Sequence, residues 1–315
     1  MQVLSPCLFS FILYLLDMWK NVTFTKEEFD KFKSTMGTCQ KTLVIRIDWW
    51  LWRCIAMTGA ITEVAKKRPV RVVTSRPLAF WGNPYIKSVH WLDDRRLYED
   101  YIKGNDYFEL EPYTDPAFFN NAENWLKVAS RQLWLKEVAE PRLFLAEHEK
   151  LNNVLEWHNP ILFQPFGSTM QANGSDKSYR SIRVEDAQYL ADGLVKKGYT
   201  VYVVERPDQP KLKNCVCLDT PDMRFVISLC ARYPVLACDS CLHHAVKAFG
   251  NKCLVVWAGT DAERYWYDTN LNVREHEFVA FTPMRLMLND FNFDISNQKT
   301  NIFSKEFLDS ILDKF

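Results

Sequence analysis

Apolar positions along this 315-residue chain alternate between two periods from residue 41 onward. Short β-branched runs predict strands over 42–47, 70–74, 88–91 and 107–110. Between them, apolar residues spaced three or four apart predict helices over 51–66 and 121–140, the second with Trp125, Val128, Ala129, Leu133 and Val138 on one stripe. A polar connection over 140–153 follows, and the pattern restarts. Strands are expected over 160–164, 200–204, 216–218, 234–238 and 253–257, and helices over 183–197, 222–232 and 242–249. Gly198 supplies a helix stop, and 305–315 reads as a terminal helix able to pack on either half. This alternation predicts an α/β protein with two doubly wound parallel-sheet domains, over 41–157 and 158–315, behind a helical extension over 1–40. Ligands of such sheets sit at the carboxyl ends of the strands, so a site is expected in the cleft between domains.

Composition narrows the classes. Hydrophobic residues at 48% and charged residues at 25% exclude a disordered chain. Lys plus Arg equals Asp plus Glu at 39 each, so no global basic field points to nucleic acid or an anionic membrane, although a local basic groove is compatible. Glycine is scarce at 10 and Trp abundant at 11, so glycine-dependent motifs are expected in altered form. The nine cysteines are odd in number and match no small disulfide scaffold, which favours a reducing, cytoplasmic compartment. The sequons at Asn21 and Asn173 mean little without a secretion signal. Residues 8–16 are apolar apart from Ser10, but no Lys or Arg precedes them and no small-residue cleavage site follows. The stretch is shorter than the ~20 residues a membrane span needs. It reads as a helix packed on its own protein, with a peripheral membrane contact as the alternative.

Three places could carry chemistry. A buried strand ends at Cys238 and a helix begins within Asp239-Ser-Cys-Leu-His-His244. The first amides of a helix lack internal partners and favour an anion, so Asp239, Ser240, Cys241, His243 and His244 are candidates for holding phosphate. An ordinary cap by Asp239 or Ser240 is the competing reading. The loop over 165–180 leaves a strand at the same sheet edge, with Ser168 and Thr169 as donors and Lys177 as a mobile cation. Arg46-Ile-Asp48 ends the first strand, where Asp48 could serve as a general base or cap the next helix. Cys215, Cys217, Cys238 and Cys241 offer a rival zinc site, though Cys217 and Cys238 fall in apolar strand patterns. His243 and His244 are adjacent on a helix, so one metal cannot easily use both. No Asp-x-Asp triplet follows a strand, and neither a Walker loop nor a Gly-x-Gly-x-x-Gly turn occurs.

These pieces, in this order over about 41–267, resemble the heptosyltransferase-type glycosyltransferases of GT-B architecture. Asp239-Ser-Cys-Leu-His-His244 is similar to the family's Asp-Ser/Thr-Gly-x-x-His signature, and the 165–179 loop to its Pro-Gly-Ser...Lys-x-Trp-Pro loop, with Lys177 in the Lys position. The segments over 255–264, 43–48 and 83–89 resemble further family stretches. The resemblance implies two Rossmann-like domains facing a central cleft, and an inverting, metal-independent transfer of a sugar from a nucleotide-diphosphate donor, with no cofactor. The acceptor would be a saccharide or lipid-linked glycan. It further implies diphosphate binding at 240–244, Ser168 and Lys177, and nucleoside contacts from Glu205 and Met223. Two departures stand out. The family's Gly-Asp, which carries its proposed base, reads Leu51-Trp52 here, leaving Asp48 to substitute, and Cys241 replaces the glycine of the diphosphate turn. Two other functions follow from these features. Arg46, Trp49, Trp52 and Arg53 could clamp an extruded, hydroxylated DNA base as in phage-type enzymes, which would act in a host cytoplasm. Loss of the Gly-Asp instead suits a non-catalytic nucleotide-sugar binder.

Overall fold

The computed structural model describes residues 41–48, 50–120, 123–152, 154–155, 158–167, 180–204, 209–218, 220, 222–276 and 301–315. The expected extension over 1–40, with its apolar segment, lies outside the described residues. In chain order the elements are β1 (Leu43–Arg46), α1 (Leu51–Ala65), β2 (Val70–Thr74), β3 (Ser88–Trp91), β4 (Asp106–Glu109), α2 (Pro116–Asn120), α3 (Trp125–Gln132) and α4 (Glu147–Asn152). The second half adds β5 (Pro160–Gln164), α5 (Val184–Lys196), β6 (Thr200–Val203), β7 (Val216–Cys217), α6 (Met223–Leu229), β8 (Val235–Cys238) and α7 (Cys241–Ala248). It closes with β9 (Leu254–Trp257), α8 (Ala262–Tyr265), β10 (Leu271–Arg274) and α9 (Lys305–Leu312).

Two parallel sheets result. The first has strand order β3-β2-β1-β4 and the second β10-β9-β8-β5-β6-β7. In the second sheet the chain builds outward from β5 to one edge, then returns to β8 beside β5 and builds to the other. That reversal leaves a crevice at the carboxyl ends of β5 and β8, the place where open α/β sheets bind ligands. Both sheets belong to one compact unit, Thr42–Phe315.

One long expected helix is not continuous. Asn124 caps α3 by accepting from the Leu126 N–H at 3.0 Å, and the helix stops before Trp134, whose φ is 55°. The Ala139 N–H then donates to Ser130 Oγ at 3.0 Å as the chain doubles back. Val138 is therefore exposed rather than part of the helical stripe. Gly198 ends α5 with φ +88°, as its position predicts. The terminal α9 packs on α5: Leu308, Ile311 and Leu312 join Leu190 and Leu194 in one core, and the Tyr189 hydroxyl donates to Asp309 at 2.5 Å.

A second, larger core runs across both sheets and joins α1 to α7 through Met57, Ile61, Leu242 and Val246. Buried arginines strengthen this seam. Arg224 pairs with Glu149 at 2.6 Å and donates to the carbonyls of Leu78 and Phe144. Arg264 pairs with Asp261 at 2.7 Å and donates to the Phe118 carbonyl. A Cβ on Gly59 of α1 would lie 1.7 Å from the Glu140 carbonyl oxygen, so only glycine lets the interdomain connection approach that helix.

Candidate functional site

A pocket of about 260 Å³ opens at the crevice between β5 and β8 and faces the start of α1. Gln164 ends β5; Asp239 and Ser240 follow β8; Cys241 opens α7; Met223 opens α6. Met223 is placed by Asp222, which caps α6 by accepting from the Arg224 and Phe225 amides at 2.9 and 3.1 Å. Arg180 reaches the pocket from the far end of the loop that leaves β5. The two ends of that loop are pinned together: Gly167 N–H donates to Ser181 Oγ at 2.9 Å and Ile182 N–H to the Pro165 carbonyl at 2.8 Å. From the first domain come Trp50, Trp52, Arg76 and Leu78.

The electrostatics of this wall follow from the start of α7. Ser240 and His243 have the reciprocal arrangement of a capping box. One of its arms is a hydrogen bond from the Ser240 N–H to His243 Nδ1 at 3.2 Å. One amide of the turn is therefore satisfied internally, and Ser240 and Cys241 still line the pocket. Arg180, only 7% exposed, has Nη1 4.0 Å from Asp239 and its guanidinium 5.7 Å from the Trp52 ring centre. Burial lowers His243 to about 4, and burial reinforced by His243 and Arg180 lowers His244 well below its ordinary value, so both rings are neutral near pH 7.

Among the described residues, Asp239, His243 and His244 carry potential metal-ligand atoms within 4.8 Å of one another. Neutral imidazoles suit a metal, and both Nε2 atoms lack a hydrogen-bond partner. Other features suit the trio to a polar anchor without one. His243 Nδ1 accepts from Ser240, His244 Nδ1 shares a hydrogen bond of 2.6 Å with the Tyr267 hydroxyl, and Arg180 supplies positive charge beside Asp239.

The structure brings together Trp52, Met223, Asp239, Ser240 and Cys241 of the residues singled out from sequence. His243 and His244 lie behind the pocket wall, fully buried, with His244 stacked on Trp52 at 5.5 Å. Asp48 does not line the pocket, nor does it cap α1: its Oδ1 accepts from the Ser75 hydroxyl and, at 3.3 Å, from the Ser75 N–H. Arg46 pairs with Glu109 at 3.4 Å across neighbouring strand ends. Arg53 is buried against Glu111 at 2.7 Å and donates to the Leu110 carbonyl, so it holds the loop after β4. Trp52 packs on Trp125 at 4.9 Å, which leaves it part of the seam as well as of the wall. Trp49, Ser168, Thr169, Lys177 and Glu205 lie outside the described residues. The four-cysteine zinc reading is corrected: Cys217 is on β7 and Cys238 on β8, with β6 and β5 between them. Three strand spacings separate those thiols by roughly 14 Å, too far for one ion. None of the described cysteines forms a disulfide.

Sequence reasoning missed Arg76, Arg180, Gln164, Gln209 and Thr220 as pocket residues. Arg180 carried the one usable signal, since it stands where the resembled Lys-x-Trp-Pro loop has proline.

No family model matches the chain, and no curated protein matches it. Solved structures do. A glycosyltransferase family 9 protein from Veillonella parvula superposes with a TM-score of 0.62 at 12% identity, covering 88% of this chain and 98% of its own. E. coli ADP-heptose LPS heptosyltransferase II gives 0.57 at 15% identity, covering 80% and 97%. The dodecameric, iron-containing heptosyltransferase TibC, in complex with ADP-D-β-D-heptose, gives 0.62 at 13%, covering 87% and 75%. The chain thus has the two-domain GT-B fold of these enzymes.

Proposed function

We propose that this protein is a glycosyltransferase that moves a sugar from a nucleoside-diphosphate donor to an acceptor hydroxyl. The observation that carries the reading is the pocket itself. It lies at the strand-order reversal of a Rossmann-like sheet, between the first residues of α7 and a buried guanidinium, in a fold shared with enzymes solved with ADP-heptose or ADP.

In this reading the donor's diphosphate lies against Ser240 and Cys241, and its nucleoside against Met223 and Val204. Glu205, Ser168, Thr169 and Lys177 belong to the same reading as further donor contacts. When the bond from the anomeric carbon to the diphosphate oxygen breaks, the electron pair stays on that oxygen. Preorganised donors at the α7 start favour that charge more in the transition state than in the ground state. The acceptor hydroxyl approaches from the first-domain wall of Trp50 and Trp52, attacks the opposite face of the sugar, and inverts the anomeric centre. Its proton goes to a carboxylate, for which Asp48 is the candidate. Asp48 precedes Trp50 by two residues, and the Ser75 hydroxyl that donates to it immediately precedes Arg76. The reading assigns no step to a metal, so a chelator is expected to leave transfer unchanged.

One observation favours a second reading, a nucleotide-sugar binder without transfer: Asp48 Oδ1 is engaged by Ser75 and the carboxylate does not line the pocket. Incubation with a panel of nucleotide sugars separates the two. Released nucleoside diphosphate, by slow hydrolysis or by transfer to added saccharides, supports the enzyme. Thermal stabilisation by the same nucleotides without any release supports the binder.

A further inference from the structure

Two pocket groups away from the start of α7 call for a neutral, hydroxylated ligand, and the inference drawn from them rests on the nucleotide-sugar reading above. We propose that Trp52 and Gln164, one from each domain, are specificity-determining residues that hold hydroxyls of the sugar being transferred. Trp52 stands where the resembled family has the aspartate of its Gly-Asp, and Gln164 precedes the resembled loop over 165–179.

Both side chains line the pocket, and each has a buried polar atom without a hydrogen-bond partner among the described residues, Trp52 Nε1 and Gln164 Oε1. An unpaired buried polar atom is costly, and in a pocket wall a ligand can supply the missing bond. Gln209, another amide of this pocket, is spent differently, since its Nε2 donates to the Gly167 carbonyl at 2.9 Å. Trp125 Nε1 also lacks a partner, but Trp125 is fully buried in the core and does not line the pocket.

Placement strengthens the pairing. The Trp52 indole is wedged against Trp125 at 4.9 Å, His244 at 5.5 Å and the edge of Tyr265 at 5.9 Å, so the direction of its N–H is set before a ligand arrives. Gln164 ends β5, the strand from which the second sheet builds outward. Leu162, two residues earlier on the same face, belongs to the core that runs across both sheets, so Gln164 projects on the side of the first domain. One wall therefore offers a donor and the other an acceptor. Phosphate oxygens could take the indole N–H but have no hydrogen for Oε1, whereas a hydroxyl both donates and accepts. The transferred sugar supplies several hydroxyls and, in the reading above, lies between the second domain and the acceptor wall. Ribose carries hydroxyls too, and comparison with the free diphosphates separates the two sources.

Titration calorimetry of the full chain with UDP-glucose, ADP-glucose and GDP-mannose, each beside its nucleoside diphosphate, reads the role. Trp52→Phe keeps a stacked ring and removes the N–H, and Gln164→Met keeps the length and removes the carboxamide. Each is expected to weaken the nucleotide sugar that the wild type binds best by about fivefold, the effect of one lost hydrogen bond, and to leave its diphosphate within about twofold. A variant that melts like the wild type and weakens sugar and diphosphate alike, or neither, overturns the assignment. Should Trp52→Phe lower the melting temperature, because the ring also belongs to the seam, Gln164→Met alone decides. A wild type that binds the diphosphates but none of the three nucleotide sugars overturns the assignment as well. One that binds none of the six at millimolar concentration overturns the nucleotide-sugar reading beneath it.

Discussion

At the scale of single residues, the two adjacent histidines show how position decides chemistry. His243 and His244 stand in a motif that suggests ligand contact, and in the fold their Nδ1 atoms bond to Ser240 and Tyr267 while the His244 ring stacks on Trp52. Their effect on stability has a definite sign. An unfolded chain would protonate His243 near its ordinary 6.5, whereas the buried ring takes a proton only at about 4, and His244 is lowered in the same direction. Between those values the unfolded state binds more protons, so stability is full above about pH 6.5 and falls as the pH drops towards 4. Each ring contributes a slope of up to about 1.4 kcal/mol per pH unit. Urea midpoints from pH 7.5 to 4.5 should fall steeply below 6.5, and a flat profile would show that the rings are not buried and neutral. For Asp48, Asp48→Asn should leave nucleotide affinity within twofold while lowering turnover about a hundredfold, in the range of a lost general base. Unchanged turnover in a steady-state assay would place the base on another carboxylate.

Among the elements, strands were the most legible part of the sequence. The β-branched runs that became β1, β2, β5, β6, β8 and β9 are short, apolar and buried on both faces, as central parallel strands require. The four-residue β10 was not legible, because Asn272 interrupts its apolar run and bonds to Trp257 Nε1 instead of marking a turn. Helical stripes were less faithful: the Asn124 cap and the left-handed Trp134 shorten α3, and neither is visible in a period of apolar residues. The pocket was legible at the start of α7 and at Met223, where a strand or loop hands over to a helix. It was not legible at Arg180 and Arg76, since long-range packing brings them in. Gly59 gives a prediction at this scale. Gly59→Ala places a methyl group 1.7 Å from the Glu140 carbonyl oxygen, so α1 or the connection must shift. A loss of about 1–3 kcal/mol in chemical denaturation is expected, and an unchanged midpoint would mean that the close approach is absent.

Over the whole molecule, the two sheets are joined through α1 and α7 by a shared core and by buried arginines that satisfy carbonyls across the seam. Burial alone would raise the Glu149 carboxyl, but the hydrogen bonds and charge of Arg224, together with the Ala146 N–H, hold it below its ordinary value. Arg224→Met would leave that carboxylate unpaired and the carbonyls of Leu78 and Phe144 without a donor. A cost of about 3–5 kcal/mol is expected in urea unfolding, whereas a loss under 1 kcal/mol would assign the seam to apolar packing alone. With the seam fixed in this way, the first-domain wall of Trp50, Trp52 and Arg76 faces the α7 start across a pocket of about 260 Å³. The most direct test of what that pocket is for is a crystal structure with the nucleoside diphosphate that stabilises the protein best. The account predicts a nucleoside diphosphate in this pocket, with phosphate oxygens within about 3 Å of a main-chain amide at the start of α7. A nucleotide bound elsewhere, or a pocket that stays empty at saturating concentration, would contradict it.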